Sequence, residues 1–595
     1  MKNSIFTFGF GASGGTSQVP DRWRPPQHVY SLFTTQNKII MKNLIAFLTF
    51  ICVSGLNFSI SAQDRKPVVK SKKIKMEKVG KTSFIKKKNS ELIVVSPKLN
   101  PHKDKIVPIS ADGHLDYRNK EAYIKYIKSN KDYNKNPYPK TPDTDIIDDV
   151  KEEKKLQFNE APFIGGPCPP DNAFGISDKG YILTANNKGL RVGVFTTNNN
   201  EINISGEMDF EIFFANQIQN GSIILDAENS FFDPKIYYSH QRRQFFLVVL
   251  FKSKDINQFV TSSKVILCTT FTENPDQGWV IQIFDDHFQE RAAWFDYPSI
   301  GFNNNEIFIS GNLFGSLTNL WVTNYIYQIK CNVVGANETV YALDYLTHDR
   351  IEEPWSNNFG FTILPVSHGK GQNYGAGIFM VSTEEATYNN SIYLYNITGG
   401  INDNPEIEKY TIDIEDFEPT GHGAFQKNGG DTSLLATGDN RIQSAFFQRN
   451  RIHLVFSKRS DNDESLIQYY RFKVEDLEPL SYIIRRNTNS YAYPAIASIG
   501  YRRAIVGFLR SSKDVFPQVR LKRINRRVAS SPNSIRILRG SNFCNNCKDD
   551  RFNNLQRWGD YIGIQRWYGH RKVFIYGHVP DGNKDWRSEI LVVDF

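Results

Sequence analysis

Four aspartates recur at one position of a repeated sequence pattern, and carboxylates arranged in this way can do chemistry. Each stands just before a strand-like apolar segment; they are Asp233, Asp296, Asp439 and Asp560. Carboxylates gathered at one end of such strands can act as acid and base on a glycoside, or coordinate a cation. Each can instead cap its own turn by accepting backbone N–H bonds. The repetition favours capping, because catalysis needs two carboxylates in different environments.

Residues around these aspartates complete the set of candidates. For catalysis the candidates are Asp439, Arg441 and Asp560, and for ligand binding they are Asp233, Asp296, Arg557, Trp558 and Tyr561. Trp558 and Tyr561 can stack on a sugar ring, although core packing is the commoner role of such aromatics. No spacing of ligands predicts a metal site, and no nucleophile elbow, P-loop or dinucleotide fingerprint occurs. We expect no cofactor, with a structural calcium ion as the open alternative.

The elements that must position these residues are strands. Between 161 and 595, short segments rich in β-branched and aromatic residues alternate with Asn, Gly, Asp and Pro, without a long amphipathic helix pattern. A hairpin pattern recurs seven times, at 171–187, 233–250, 296–314, 359–383, 438–456, 493–509 and 559–577. This repetition predicts an all-β fold, a seven-bladed β-propeller with six blades as the alternative. We expect the last strand over Ile590–Phe595.

Several copies also resemble a known family. The stretches TGDNRI (437–442), YPAIA (493–497), VGFLRSS (506–512) and RWGDY (557–561) resemble exported bacterial propeller proteins of the sialidase-like, BNR-type group. The resemblance covers about 161–580. It implies seven blades, but the family has no settled activity.

The resemblance does not predict a sialidase. Sialidases hold a substrate carboxylate with three arginines and use a Tyr–Glu nucleophile pair with an Asp as acid/base. Arg441 resembles the start of their arginine motif, but Gln443 stands where a proline should follow. Arg557 and Arg566 flank the last copy, and no third arginine stands at a matching strand start. Only a partial Asp-box occurs, at 274–279.

The front of the chain predicts export. Residues 41–63 begin with Met-Lys, continue with an apolar run and end with small residues, which is typical of a secretory signal peptide. Such peptides begin at the initiator, so we interpret residues 1–40 as an upstream mis-start. A membrane anchor is the alternative, and polar residues in the second half of the run favour cleavage instead. After cleavage no transmembrane anchor would remain, and we expect a periplasmic, outer-membrane-associated or secreted protein.

Charge divides the remainder into a spacer and a body. The net charge of +9 comes from 72 basic and 63 acidic residues, but residues 161–595 contain 43 basic and 47 acidic ones. The Lys-rich segment 64–160 is interpreted as a mobile, largely disordered spacer, with a strand near Leu92–Val95 and a helix near Glu121–Lys128. The bulk charge therefore gives no reason to expect a nucleic-acid partner.

Five cysteines would remain after signal cleavage. Cys544 and Cys547 form an isolated CxxC, for which we expect a local disulfide, with a metal site or thiols as alternatives. The fifth cysteine has no assigned role.

Function is predicted only coarsely. Eleven basic residues and one acidic residue lie between 502 and 539, and this basic patch can attract an envelope protein or an acidic glycan. We therefore predict an exported, monomeric and non-enzymatic propeller that binds a protein or glycan partner. A glycan-active hydrolase or lyase with its site at the channel mouth is the alternative.

Overall fold

Strands are the main element of this chain because its short apolar segments are buried on both faces, between neighbouring sheets. Phe245 to Phe251 form an unbroken apolar run in which no side chain is more than 1% exposed. Such a run fits a strand in a sheet packed between two others, since both of its faces are then dry. Each side chain of this size stabilises the fold by about 1.5–3 kcal/mol on burial.

The structure, a computed structural model, describes residues 77–78, 84–88, 91–95 and most of 169–595. Within 169–595 the ranges left out are 198–200, 258, 285–292, 304, 317–320, 332–344, 350–359, 369–375, 385–388, 404, 418–422, 431–432, 461–463, 475–476, 486–487, 501, 526–533, 550–554 and 583–585. The predicted leader, signal peptide and helix near Glu121–Lys128 lie outside the described residues, as does most of the predicted spacer. Among the described residues, no helix is long and apolar enough to span a bilayer.

Seven antiparallel sheets follow one another along the chain, and we call them blades 1 to 7. Their innermost strands are, in order, Ala173–Ile176, Glu228–Ser239, Ala293–Phe302, Gly360–Pro365, Ile442–Gln448, Ser490–Gly500 and Gly563–Trp567. Their second strands are Tyr181–Ala185, Gln244–Lys254, Glu306–Gly315, Ile378–Glu384, Arg451–Arg459, Arg503–Ser512 and Lys572–Pro580. Their third strands are Gly189–Thr196, Val260–Thr270, Trp321–Lys330, Asn389–Ile397, Ser465–Lys473, Val515–Ile524 and Trp586–Asp594. Blades 1 to 6 have fourth strands, at Glu201–Asp209, Trp279–Phe284, Tyr345–Asp349, Ile407–Phe417, Leu480–Ile484 and Ile535–Arg539.

Additional short elements extend this frame. Glu77–Lys78 pairs with the fourth strand of blade 4, and Phe84–Lys88 joins the fourth strand of blade 3 to Glu91–Val95. Ser367–His368 pairs with the innermost strand of blade 5, and Lys548–Asp549 pairs with Leu555–Gln556. The helical turns are Phe210–Phe213, Ala215–Gln219 and the 3-10 turn Pro275–Gln277.

The seven blades close into a ring. Each innermost strand contacts those of the two neighbouring blades, and the strand of blade 7 contacts that of blade 1. Six hydrophobic clusters of the core each join different blades. The seven-bladed propeller predicted from the repeats is therefore confirmed. Each predicted copy coincides with the inner hairpin of a blade.

Blades 7 and 1 are joined by side chains. Blade 7 has three strands in the described part of the chain, and the segment predicted as the last strand lies within the third, Trp586–Asp594. The amide of Gln565 binds both backbone groups of Ile176, accepting from its N–H at 2.9 Å and donating to its carbonyl at 3.1 Å. Ser588 donates to Asn172 at 3.0 Å. Side-chain hydrogen bonds thus bridge the seam between blades 7 and 1.

Candidate functional site

A backbone kink recurs at the same place in every blade. One residue in or just before each innermost strand has a positive φ: Asp171, Asp233, Tyr297, Thr362, Gly438, Tyr493 and Gly559. In blades 2, 3, 4 and 6 the kink coincides with a shift in the register of the inner hairpin. A non-glycine residue in this region costs roughly 1–2 kcal/mol. Because all seven blades share the kink, the side chains next to it gather at one end of the channel, which we call the mouth.

Three buried or half-buried carboxylates meet at the mouth. Oxygens of Asp171, Asp233 and Asp560 lie within 4.8 Å of one another. Asp171 and Asp233 are 1% and 6% exposed. No histidine or cysteine joins this group within the described residues. It is the one cluster of the described part whose donors would suit a hard cation such as calcium.

The buried carboxylates cap backbone groups across blade boundaries. The N–H of Asp560 in blade 7 donates to Asp171 Oδ1 of blade 1 at 2.6 Å. The N–H of Tyr297 in blade 3 donates to Asp233 Oδ2 of blade 2 at 3.2 Å. The amide of Asn187 donates to Asp171 Oδ2 at 2.8 Å and accepts from the N–H of Asp233. Asp171 and Asp233 therefore tie neighbouring blades together. Asp439 instead caps its own turn, as the sequence pattern predicted, by accepting from the N–H of Arg441 at 3.0 Å.

Burial and crowding hold protons on the inner carboxyls. Burial, together with the nearby charge of Asp560, raises the pKa of Asp171 to about 7, against the opposing effect of Arg557. Burial also raises the pKa of Asp233 well above its ordinary value, with Asp296 and Asp171 adding to the effect. The pKa of Asp296 is raised by burial as well. The floor of the mouth is thus less negative at neutral pH than its number of aspartates suggests.

A half-buried lysine lies next to these carboxyls. Lys235 Nζ is 2.9 Å from the centroid of the Tyr561 ring and 5.1 Å from that of Tyr297. Burial lowers the pKa of Lys235 to about 7, against the opposing pull of Asp233 and other carboxylates. The lysine therefore supplies a partial internal cation to the cluster.

Two ion pairs form the part of the mouth that is nearest to solvent, and three of their four side chains are half-buried. Arg441 Nε donates to Asp439 Oδ1 at 2.7 Å and to Oδ2 at 2.9 Å, and its Nη2 donates to Oδ2 at 2.5 Å. Burial opposes ionisation of Asp439, but Arg441 outweighs it and lowers the pKa of this carboxyl. Arg557 Nη2 donates to Asp560 Oδ2 at 2.7 Å. The side chains of Asp560, Asp439 and Arg441 are 32%, 24% and 20% exposed.

The structure gathers most of the candidates predicted from the sequence. Asp233, Asp439, Arg441, Arg557 and Asp560 meet at the mouth. Asp296 adjoins them, because its carboxyl interacts electrostatically with Asp560 and Arg441. The expectation that the repeated aspartates lie around the channel mouth is met. Their chemical role stays a prediction.

The two aromatic candidates have covered rings. Trp558 is fully buried, and it packs in the cluster that joins blades 6 and 7 and edge-on to Tyr493. Tyr561 is buried beneath Lys235, and its hydroxyl donates to the carbonyl of Pro234. Sugar stacking needs an open ring face, so the packing interpretation fits both residues.

The pattern in the sequence missed several members of the site. Asp171 opens the first copy and could have been found by aligning it with Asp233 and Asp560. Tyr297 follows Asp296 as Tyr561 follows Asp560, so the repeat could have found it, whereas Lys235 follows an aspartate in only one copy.

The predicted disulfide between Cys544 and Cys547 is not formed. Cys547 is disulfide-bonded, while Cys544 carries a thiol, so the partner of Cys547 lies outside the described residues. The two residues are anchored to different segments: the backbone N–H of Cys544 donates to Gln426, and that of Cys547 donates to Gln556. These separate anchors hold the two cysteines in different surroundings. The CxxC spacing alone could not predict these hydrogen bonds to distant residues.

The predicted basic patch is spread along a whole blade. The segment 502–539 forms the last three strands of blade 6, which run between both ends of the propeller. Arg510 and Lys522 are buried, and Arg510 Nε donates to Asn489 at 2.8 Å. The charges therefore do not make one continuous surface. The partner assigned to this segment stays a prediction.

Beneath the mouth, the channel continues as a cavity of about 240 Å³. Its walls come from the innermost strands of all seven blades, and Lys235 and Tyr561 lie at its upper end. The mouth and the cavity are thus separated by the ionic cluster.

Comparison with known proteins finds solved structures of similar shape but no related sequence family. No protein-family model matches the chain, and no curated protein matches it. An α-L-arabinofuranosidase of Fusarium graminearum, solved with arabinobiose, is 8% identical with a TM-score of 0.31, covering 71% of this chain and 92% of that one. A Trypanosoma rangeli sialidase mutant displaying trans-sialidase activity is 9% identical with a TM-score of 0.34, covering 72% and 60%. A protein of unknown function from Dyadobacter fermentans is 9% identical with a TM-score of 0.33, covering 60% and 94%. Similarity at this level carries no argument about activity, and the propeller assignment rests on the seven sheets themselves.

Proposed function

We propose that this propeller binds a glycan at the mouth of its channel and does not cleave it. The observation that carries the proposal is the division of the ionic cluster into two layers. Asp439, Arg441 and Asp560 reach solvent as preformed ion pairs, and the carboxyls that hold protons lie sealed beneath them.

The outer layer has the chemistry of a sugar-binding surface. Carboxylate oxygens accept hydrogen bonds from hydroxyl groups, and a guanidinium donates to them in a fixed plane. The Asp439–Arg441 pair is held in one geometry by three side-chain hydrogen bonds and by the N–H of Arg441, which donates to Asp439 at 3.0 Å. Groups fixed before binding lose little conformational entropy when the ligand arrives.

The same division argues against glycoside hydrolysis. Hydrolysis needs a protonated carboxyl against the leaving oxygen and an ionised carboxylate on the other side of the sugar. The carboxyls with raised pKa values, Asp171 and Asp233, are buried and bonded to backbone N–H groups of neighbouring blades. The pKa of the half-buried Asp439 is lowered instead, so it is a poor proton donor at neutral pH. Binding is therefore favoured over the alternative of a hydrolase or lyase.

The proposal includes a location outside the cytoplasm. The signal-like segment 41–63 supports export, and the ligand is then a glycan of the cell envelope or of the surroundings. A protein partner at the envelope is the other outcome that the test below distinguishes.

The test is a glycan array followed by calorimetric titration of the best ligand. Asp560→Asn and Asp439→Asn should each weaken binding by roughly 10- to 100-fold, because each removes a charge-assisted contact worth about 1.5–3 kcal/mol. Asp416→Asn, an exposed aspartate on the fourth strand of blade 4, is the matched control and should bind normally. The proposal fails if no glycan binds while crosslinking captures a protein, or if the ligand is recovered cleaved.

A further inference from the structure

The cavity below the mouth has a second, chemically distinct end. The innermost strands run from the mouth downward, as Lys235 to His240 and Tyr561 to Tyr568 do along the cavity wall. Its lower end is therefore lined by His240, Arg566 and Tyr568. At about 240 Å³ the cavity is smaller than the pockets of drug-sized ligands, and it suits a small organic molecule.

The charges that line this cavity have one sign. The described residues of its wall include Lys235 and Arg566, and no aspartate or glutamate is among them. His240 also lines it, with Nδ1 2.9 Å from Asp178 Oδ1. Lys235 faces three carboxyls of the mouth, so its charge is offset from above. The charge of Arg566 has no such compensation.

Arg566 is held in place without an acidic partner. It makes no hydrogen bond or ion pair with any residue in the part of the chain that the structure describes, and its Nε is a buried donor without an acceptor. Its Cζ lies 4.8 Å from the Tyr568 ring and 5.3 Å from the Phe595 ring. Burial lowers the pKa of Arg566, and the charge of Arg503 lowers it further. An arginine in this state gains from any anion that reaches it.

The rim around the lower end would attract an anion. The turns between first and second strands point to this end, and their described residues include six basic ones and one acidic one, Asp178. The basic residues are Lys179, Arg242, Arg243, Arg449, Arg502 and Arg571. Glu273 pairs with Lys179 at 3.0 Å and with Arg243, so six basic residues meet two acidic ones at this end. An excess of positive charge at an opening raises the local concentration of anions.

The walls above Arg566 decide what kind of anion fits. Ile236, Ile300, Ala445 and Ile564 line the cavity, with serine and glutamine side chains between them. An apolar wall favours an organic body over a bare inorganic ion, since burying apolar surface is favourable. A planar guanidinium matches a carboxylate through two parallel hydrogen bonds.

We infer that the lower half of the channel is a binding site for a small organic carboxylate, with Arg566 as its anchor. The acid group lies against Arg566 and the apolar body points up the channel toward Lys235. This site is separate from the glycan-binding mouth and does not depend on it.

Calorimetric titration with benzoate, benzyl alcohol and inorganic phosphate tests the inference. Benzoate should bind at millimolar concentration or below, and benzyl alcohol, the neutral analogue, should bind at least about tenfold more weakly. Arg566→Gln should weaken benzoate binding by at least about tenfold. Arg536→Gln, an exposed arginine on the fourth strand of blade 6, should not change it.

A second variant keeps the test decisive if Arg566→Gln fails to fold. Ala445→Phe fills the cavity without changing any charge, and it should also reduce benzoate binding. The inference is overturned if benzoate does not bind, if benzyl alcohol binds equally well, if both variants bind normally, or if only phosphate binds. Binding of a glycan at the mouth should be unaffected by either variant, so failure here is distinguishable from failure of the proposed function.

Discussion

Replacing Asp171 by asparagine tests how one titrating carboxyl of the mouth makes the stability of the fold depend on pH. Asp171 is buried, and its pKa is raised from 3.8 to about 7 by burial and by the charge of Asp560. A carboxyl whose pKa is higher in the folded chain than in the unfolded chain takes up a proton on folding at any pH between those two pKa values. The folded state then binds more protons than the unfolded state. Its stability therefore falls as the pH rises through this window, and stays lower above it.

The size of the change in stability with pH follows from the number of protons that are taken up on folding. One proton taken up on folding gives a slope of about 1.4 kcal/mol per pH unit. Over the roughly three pH units between the two pKa values, the total loss for Asp171 is about 4 kcal/mol. Asparagine keeps an oxygen that can accept from the N–H of Asp560, but its amide nitrogen replaces the oxygen that accepts from Asn187. That loss lowers stability by the same amount at every pH, so the slope with pH reports the titration alone.

The assay is chemical denaturation of the wild type and of Asp171→Asn at several pH values between 4.5 and 7. The stability of the wild type should fall more steeply with pH, by about 1.4 kcal/mol per unit, than that of the variant. Asp233 has a raised pKa too, so the variant keeps part of the slope. Asp416→Asn, the exposed control, should behave as the wild type.

Equal slopes in the wild type and Asp171→Asn would refute the reasoning, because they would show that Asp171 ionises in the folded chain as it does in the unfolded one. The titration of Lys235 does not affect the slope that is compared in this pH range. Its pKa is lowered to about 7, so it raises stability with pH only above that value.

Two further predictions concern the frame of the site. Peptide mapping without reduction should find Cys544 alkylated after denaturation and Cys547 in a disulfide with a cysteine other than Cys544; a peptide containing a Cys544–Cys547 bond would contradict the structure. Gln565→Ala should lower the free energy of unfolding by about 1–3 kcal/mol, because it removes two hydrogen bonds across the seam between blades 7 and 1. The exposed Gln241→Ala is its control, and an equal effect of both changes in denaturant titrations would show that the seam does not depend on Gln565.

The inner hairpins were predictable because both of their signals are local. An aspartate, glycine or proline at or beside a kink and the apolar run of the second strand lie within one hairpin of the sequence, as Asp233 and Phe245–Phe251 do. The outer strands were harder to place, because Leu480–Ile484 and Ile535–Arg539 are short and only partly covered. Their pairing depends on the neighbouring strand more than on their own residues.

The site was predictable only as far as the repeat defines it. The repeat placed Asp233, Asp439 and Asp560 near the channel. It could not tell that the side chain of Arg441 binds Asp439 within its own turn, or that Lys235 Nζ lies over the ring of Tyr561. These contacts depend on rotamers and on neighbours from other blades, which spacing along one chain does not encode. The disulfide of Cys547 was missed for the same reason.

The seam between blades 1 and 7 links ligand binding to completion of the fold. Asp171 and Asp560, which form the floor and the rim of the mouth, are 389 residues apart and meet only when the last blade docks on the first. An incomplete ring has no mouth, so only a finished molecule can hold a ligand there. A ligand bound at the mouth then stabilises the closed ring by an amount that grows with its concentration. A bound glycan would thus help to hold the first and last blades together.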